Sequence, residues 1–130
     1  MTPWFDVVKV NDSDPAEVVV PLIQGCTYSR LPVVDENGKV VGTLSMRSYL
    51  KRYLKNADIS VKEVMASPVF IDDMTPVDDL LSTLSAERTH IAYVRAEDSI
   101  LGIITVEDIL EELVGEIYDE EELIGGEVDG

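Results

Sequence analysis

The feature that most constrains this chain is an internal repeat. Sliding the 130-residue sequence against itself by 60 residues aligns Tyr28 to Leu54 with Arg88 to Val114. Only three of those 27 positions are identical, Val34/Val94, Gly42/Gly102 and Leu50/Leu110, but eleven are apolar in both copies. Pattern that outlasts identity is the mark of one structural unit used twice.

Within the first copy, Leu31 to Asp35 and Val40 to Leu44 are short β-rich runs. Glu36-Asn37-Gly38-Lys39 lies between them, and its Asn-Gly predicts a type I′ hairpin. In the second copy, Ile91 to Arg95 and Ile100 to Ile104 flank Ala96-Glu97-Asp98-Ser99, which has turn composition without glycine. Each hairpin feeds a helix with apolar residues at i, i+3, i+4 and i+7: Met46, Tyr49, Leu50 and Tyr53, then Val106, Ile109, Leu110 and Leu113. Another helix precedes each hairpin, opened by Asp14-Pro15 or Thr75-Pro76 acting as N-cap and first-turn proline. The offset there is 61, one residue more. A strand is expected before each of these helices, at Phe5 to Val10 and Pro68 to Ile71, introduced by the similar phrases Met1-Thr-Pro and Met65-Ala-Ser-Pro.

The predicted fold is therefore mixed α/β, two β-α-β-β-α units. The expected organisation is repeat 1 at 1–54, a connector at 55–62, repeat 2 at 63–118 and an acidic linker or tail at 119–130. About 60 residues bury too little surface to stand comfortably alone, so the two units are expected to pack about a pseudo-twofold axis. A cleft between such units is a common place for a ligand.

Composition narrows the ligand. Ten Lys+Arg against 26 Asp+Glu give a net charge of −16, which disfavours a nucleic-acid backbone or an anionic membrane surface as partner. The longest apolar stretch, Val18 to Ile23, is interrupted by Pro21 and is far short of the roughly 20 residues that span a bilayer. No secretory leader is evident and Cys26 is the only cysteine, so a reducing, cytoplasmic setting is expected.

The chemistry-bearing residues sit where the hairpins enter the last helices, in Gly42-Thr-Leu-Ser45-Met-Arg-Ser48 and Gly102-Ile-Ile-Thr105-Val-Glu-Asp108. Ser45 and Thr105 are N-cap residues, a role worth about 1 kcal/mol in itself. A helix N-terminus with a hydroxyl also favours phosphate, and a nearby carboxylate can accept from both hydroxyls of a ribose. Arg30 and His90 are equivalent at the offset of 60, and both can donate to an anion.

These residues resemble the tandem CBS domain, or Bateman module, over about residues 1 to 118. Met1-Thr2-Pro3, Tyr28-Ser29-Arg30-Leu31-Pro32-Val33 and the run from Thr105 through Gly115 to Glu120 are similar to the CorC/HlyC group of magnesium and cobalt efflux proteins. The resemblance implies a regulatory module that binds AMP or ATP, with magnesium arriving on the nucleotide, and that pairs with another copy into a flat disc. It implies that Thr105 contacts phosphate or ribose and Asp108 the ribose hydroxyls. Thr2, Pro3 and the segment Tyr28, Ser29, Arg30 and Pro32 would meet base or phosphates, with Arg30 the positive contact, while Ile91, Ala92 and Ile104 line the pocket. It further implies attachment to transmembrane and C-terminal domains at the cytosolic face of the cell membrane. A chain of this extent is expected to be the middle of such a transporter or a free-standing pair of repeats.

Two departures carry expectations of their own. Ser48 stands where the motif has aspartate, so one competent site per chain is expected, centred on Thr105 and Asp108. Trp4 follows Met-Thr-Pro where the group often has arginine, a change that either removes a positive contact or replaces it with a stacking face.

Other readings compete. Glu107, Asp108, Glu111 and Glu112 offer oxygen ligands to magnesium, although their i, i+4 spacing fits a solvated helix face equally well. An enzyme would need a nucleophile or base beside phosphate, and one histidine, one unpaired cysteine and no phosphate-binding glycine loop make catalysis the weakest reading. A purely structural dimerisation module would need Thr105 and Asp108 only as a cap.

Overall fold

The computed structural model describes residues 1–25, 29–112 and 114–115. The chain divides into two compact units, Asp6–Pro68 and Met1–Phe5 with Val69–Gly130. The first has a three-stranded sheet in the order β2-β3-β4, from β2 (Val10–Asn11), β3 (Arg30–Val34) and β4 (Val40–Ser45). Helices α1 (Ala16–Gly25), α2 (Met46–Tyr53) and α3 (Val61–Val64) complete it. The second has a four-stranded sheet in the order β1-β7-β6-β5, from β1 (Thr2–Pro3), β5 (Phe70–Asp72), β6 (Ile91–Ala96) and β7 (Ser99–Thr105). Its helices are α4 (Val77–Ala86) and α5 (106–112).

Each unit runs β-α-β-β-α, with the first strand parallel to the second and a hairpin after it. The helical stripes bury as their periodicity predicts. Val19, Ile23, Met46 and Tyr49 join Leu31, Val33 and Leu44 in one core. In the other unit Leu80, Leu84 and Ile109 join Ala92, Val94 and Ile104. Leu110, read as part of the α5 stripe, is instead 49% exposed.

Unit boundaries do not follow the repeat starts read from the sequence. Met1–Phe5 belongs with the second repeat's strands, because Thr2 and Pro3 pair antiparallel with Ile103 and Gly102. The matching phrase before the second repeat pairs in the first unit, where Ala66 and Thr43 exchange two backbone hydrogen bonds of 2.9 Å. This explains the two glycines that open the repeated phrase. A Cβ on Gly102 would collide with the Thr2 carbonyl, and one on Gly42 would lie 2.6 Å from Met65 Sδ and 3.0 Å from the Ala66 carbonyl oxygen. Each glycine is needed for the close approach of another backbone segment rather than for its own φ.

Several local expectations are corrected. Phe5 to Val10 is not a strand: Trp4–Asp6 forms a 3₁₀ turn and β2 is only Val10–Asn11. The Asp14 carboxylate turns back from α1 and accepts from the Asn11 backbone N–H at 2.8 Å, tightening the turn before the helix. In α4 the N-cap is Pro76 and carries no side-chain cap, one residue beyond the expected Thr75. The Asn37-Gly38 turn is not type I′, since only Gly38 has positive φ, at 81°. Gly38 N–H donates to the Asp35 carbonyl, and the Asp35 carboxylate accepts from the backbone N–H groups of Asn37 and Lys39. That is a type I turn closed by a left-handed glycine, the pattern of a bulged hairpin.

The register also moves the point at which the repeat changes offset. Gly42 faces Val33, whereas Gly102 faces Val94. The 61-residue offset of the first helices therefore persists through the first hairpin strand, and the missing residue lies in the second turn, where Ala96 pairs with Ser99 across only Glu97 and Asp98. Arg30, which faces Ser45, corresponds to Ile91, which faces Thr105. His90 corresponds to Ser29: the two carbonyls accept the first helical N–H groups, from Val106 at 3.0 Å and Met46 at 3.1 Å. Arg30 and His90 are not an equivalent pair.

Candidate functional site

Thr105 closes β7 and opens α5. Its Oγ1 accepts from the Asp108 backbone N–H at 3.1 Å, and Asp108 Oδ2 accepts from the Thr105 backbone N–H at 3.1 Å. This reciprocal cap satisfies two donors that a helix start otherwise leaves open. Both side chains are half-buried. By their bonding capacity the Thr105 hydroxyl keeps its proton to donate, and the second Asp108 oxygen keeps its acceptor sites.

The sheet gathers most of the other expected residues at the same end of this unit. Ile91 faces Thr105, Ala92 faces Ile104, and Thr2 faces Ile103 from the other side of β7. Seven of the expected residues, Thr2, Pro3, Ile91, Ala92, Ile104, Thr105 and Asp108, thus share one unit. Ala92 and Ile104 are core residues packed with Leu80, Leu84 and Ile109 of α4 and α5, so their side chains are taken up by the core. Ser29, Arg30 and Pro32 belong to the other unit. There Arg30 Nη1 donates to Ser29 Oγ at 3.4 Å, and Pro32 is buried. Tyr28 lies outside the described residues, as do Cys26 and the 119–130 tail.

The equivalent place in the other unit lacks the same groups. Ser45 Oγ accepts from the Ser48 N–H at 3.3 Å, but Ser48 has no carboxylate with which to reciprocate. Ala66 stands beside β4 where Thr2 stands beside β7, and contributes no hydroxyl.

Thr89 and the aromatic partners of Trp4 escaped the sequence reading. Thr89 Oγ1 accepts from the Ile91 N–H at 3.3 Å and donates to the Ile91 carbonyl at 3.1 Å, fixing the start of β6. Trp4 meets Tyr93 edge to face, with centroids 6.1 Å apart at 87°, and Tyr93 also contacts Phe70 at 5.9 Å. Arg95 completes the row 4.7 Å above the Phe70 ring. The β6 alternation that places Tyr93 and Arg95 on one face was the available signal.

A groove of about 630 Å³ in the Asp6–Pro68 unit holds none of the expected residues. Asp12, Asp14, Glu17 and Asp58 line it beside Val20 and Tyr53, a rim whose charge opposes phosphate. Among the described residues no group of three or more His, Cys, Asp or Glu is arranged to hold a metal ion. No helix among them is long and apolar enough to cross a membrane.

The CBS domain family matches residues 1–55 and 61–115. The chain belongs to the CBS domain family. It is a CBS domain pair homologous to proteins of the CorC and UPF0053 groups. It is 34% identical over 128 residues to the UPF0053 protein YrkA of Bacillus subtilis, covering 92% of this chain and 29% of that protein. It is 32% identical over 123 residues to the magnesium and cobalt efflux protein CorC of Vibrio cholerae, covering 92% of this chain and 42% of that protein. The chain therefore spans less than half the length of these relatives. Among solved structures, the CBS domain of a bacterial CNNM/CorC family Mg2+ transporter in complex with ATP is similar at 29% identity and a TM-score of 0.81, covering 88% of this chain and 84% of that one.

Proposed function

We propose that this CBS pair is a non-catalytic regulatory module that binds an adenine nucleotide, AMP or ATP, at the Thr105–Asp108 end of the second unit. The observation that carries the reading is the reciprocal cap, which aims a hydroxyl, a carboxylate and a helix N-terminus at one place. The helix N-terminus and the Thr105 hydroxyl suit phosphate, and Asp108 suits the paired hydroxyls of a ribose. Thr2 and Pro3 of the same unit would join the site, and Arg30, as the positive contact, with Tyr28, Ser29 and Pro32 stays a candidate for base and phosphate contacts on the family resemblance alone. Magnesium would arrive bound to the polyphosphate, in keeping with its preference for phosphate oxygens and retained water.

The relatives support a wider setting, the cytosolic sensor of a divalent cation efflux transporter with further domains attached, and the pairing of two copies is part of the same proposal. Nucleotide would act by its difference in affinity between two states of the module. A second reading, a dimerisation module in which the cap is only structural, draws on the same bonds, because one oxygen of each side chain is already engaged.

Isothermal titration with ATP and AMP, each with and without magnesium, tests the proposal. Saturable binding near one per chain, lost in Asp108→Asn, is expected, and at free nucleotide near 100 times Kd it should stabilise the fold by about 2.7 kcal/mol. No heat and no change in Tm with any nucleotide would leave the structural reading.

A further inference from the structure

The groove of about 630 Å³ belongs to the Asp6–Pro68 unit, not to the unit of the Thr105–Asp108 cap. Its walls are the turn before α1, the first turns of α1, the last residue of α2 and the connector at 57–60. Residues 6–68 hold eight acids and eight bases. Four of those acids, Asp12, Asp14, Glu17 and Asp58, line the groove, and none of the bases does. Its negative charge is therefore a local arrangement, since the unit has no net charge to supply it. Lys62 reaches Asp12 at 3.8 Å and Asp14 accepts from the Asn11 N–H. The Glu17 and Asp58 carboxylates have no partner among the described residues.

A further acceptor comes from the backbone. Pro21 lies inside α1 and has no N–H to give to the Glu17 carbonyl one turn earlier, a break that helix interiors avoid. Glu17 and Pro21 both line the groove, so the carbonyl that loses its helical donor belongs to a residue of the groove wall. At the offset of 61 the second unit has Ser82 in this place, and its helix α4 contains no proline. The repeat itself thus does not require the break. Between the acceptors the lining is apolar, with Val20, Pro21 and the Tyr53 ring.

These acceptors are dispersed rather than convergent, because no three acidic groups among the described residues are arranged to hold a metal ion. A point cation gains from one of them at a time. Ammonium groups joined by methylenes can reach several, with the spacers lying on Val20, Pro21 and Tyr53. We propose that this groove binds a linear aliphatic polyamine, its ammonium groups donating to the Glu17 and Asp58 carboxylates and to the Glu17 carbonyl. The volume is that of a small-molecule site, and charge-assisted donation to carboxylates fixes the orientation.

Isothermal titration of the full chain with spermidine, in the absence of nucleotide, tests this. Saturable binding is expected, weakened about tenfold or more in E17Q/D58N, whose folding is checked by circular dichroism. D78N/D79N removes two exposed acids from the other unit and should bind as the unaltered chain does. Equal weakening in the two variants overturns the site, because counterion attraction to an acidic chain would then account for the heat. So does displacement of spermidine by magnesium chloride beyond that caused by sodium chloride at the same ionic strength, since a point dication would then compete for the groove. Pro21→Ala returns an N–H to the Glu17 carbonyl and should also weaken binding; unchanged affinity there overturns the carbonyl as a contact. No saturable heat with spermidine overturns the proposal as a whole and leaves the nucleotide reading standing, since that rests on Thr105 and Asp108.

Discussion

Arg88 occupies a left-handed position, φ 53°, where helices commonly end on glycine. Its N–H donates to the Ser85 carbonyl at 3.1 Å and that of Thr89 to the Leu84 carbonyl at 3.0 Å, the paired bonds of a Schellman motif. A side chain costs about 1–2 kcal/mol in this conformation, against roughly 0.5–1 for the greater freedom glycine loses on folding. Arg88→Gly should therefore stabilise the chain by about 0.5–1 kcal/mol, read as a higher urea midpoint with unchanged slope; a lower midpoint would mean that the arginine side chain matters more than its backbone. Tyr49 is the opposite case, correct in shape and costly in chemistry. It is fully buried in the first core and its hydroxyl has no partner among the described residues. Desolvation raises its pKa above the ordinary tyrosine value, and Tyr53, stacked at 6.4 Å, adds repulsion. The unfolded chain thus loses this proton first as pH rises, so stability is intact below about pH 10 and declines above it. Tyr49→Phe should gain about 1 kcal/mol at neutral pH and flatten the alkaline decline. An alkaline profile identical to that of the unaltered chain would show that Tyr49 does not drive it.

At the scale of elements, what could be read in advance was whatever rests on local periodicity. The stripes through Val19 and Ile23, or Leu80 and Leu84, need only a 3.6-residue repeat to be seen, and both hairpins announce themselves by short β-rich runs on either side of turn residues. Thr105 and Asp108 were legible because a cap is a contact three residues long. What stayed hidden depends on segments far apart in the chain. Nothing near Gly102 indicates that Thr2 will lie against it, and an ungapped alignment hid the shorter second turn, so that Arg30 was matched to His90 rather than Ile91. The same contact yields a prediction. A methyl at Gly102 meets backbone, the Thr2 carbonyl, while one at Gly42 meets chiefly the flexible end of Met65. Gly102→Ala should cost about 2 kcal/mol, and Gly42→Ala less, because a methionine can swing aside and a paired strand cannot. Urea denaturation of the two variants decides it: equal losses would show that β1 gives way as easily as Met65 does.

For the molecule as a whole, charge is segregated far more sharply than composition suggests. Residues 6–68 hold eight Lys+Arg and eight Asp+Glu, so that unit is neutral. The entire −16 falls on Met1–Phe5 with Val69–Gly130, two bases against 18 acids. Self-repulsion of this kind destabilises a compact state, and salt relieves it. It also bears on the proposed site, because the donors offered to a phosphate there, the α5 N-terminus and the Thr105 hydroxyl, work against the field of their own unit. The imbalance makes the two units respond differently to ionic strength. Raising salt from about 0.01 M to about 0.15 M shortens the Debye length from about 30 Å to about 8 Å. Amide exchange in β6 and β7 should slow across that range, whereas exchange in β3 and β4 should change little, since their unit has no net charge to screen. If both hairpins gain protection equally, they open only through one global unfolding, and the segregated charge acts on the molecule as a single body.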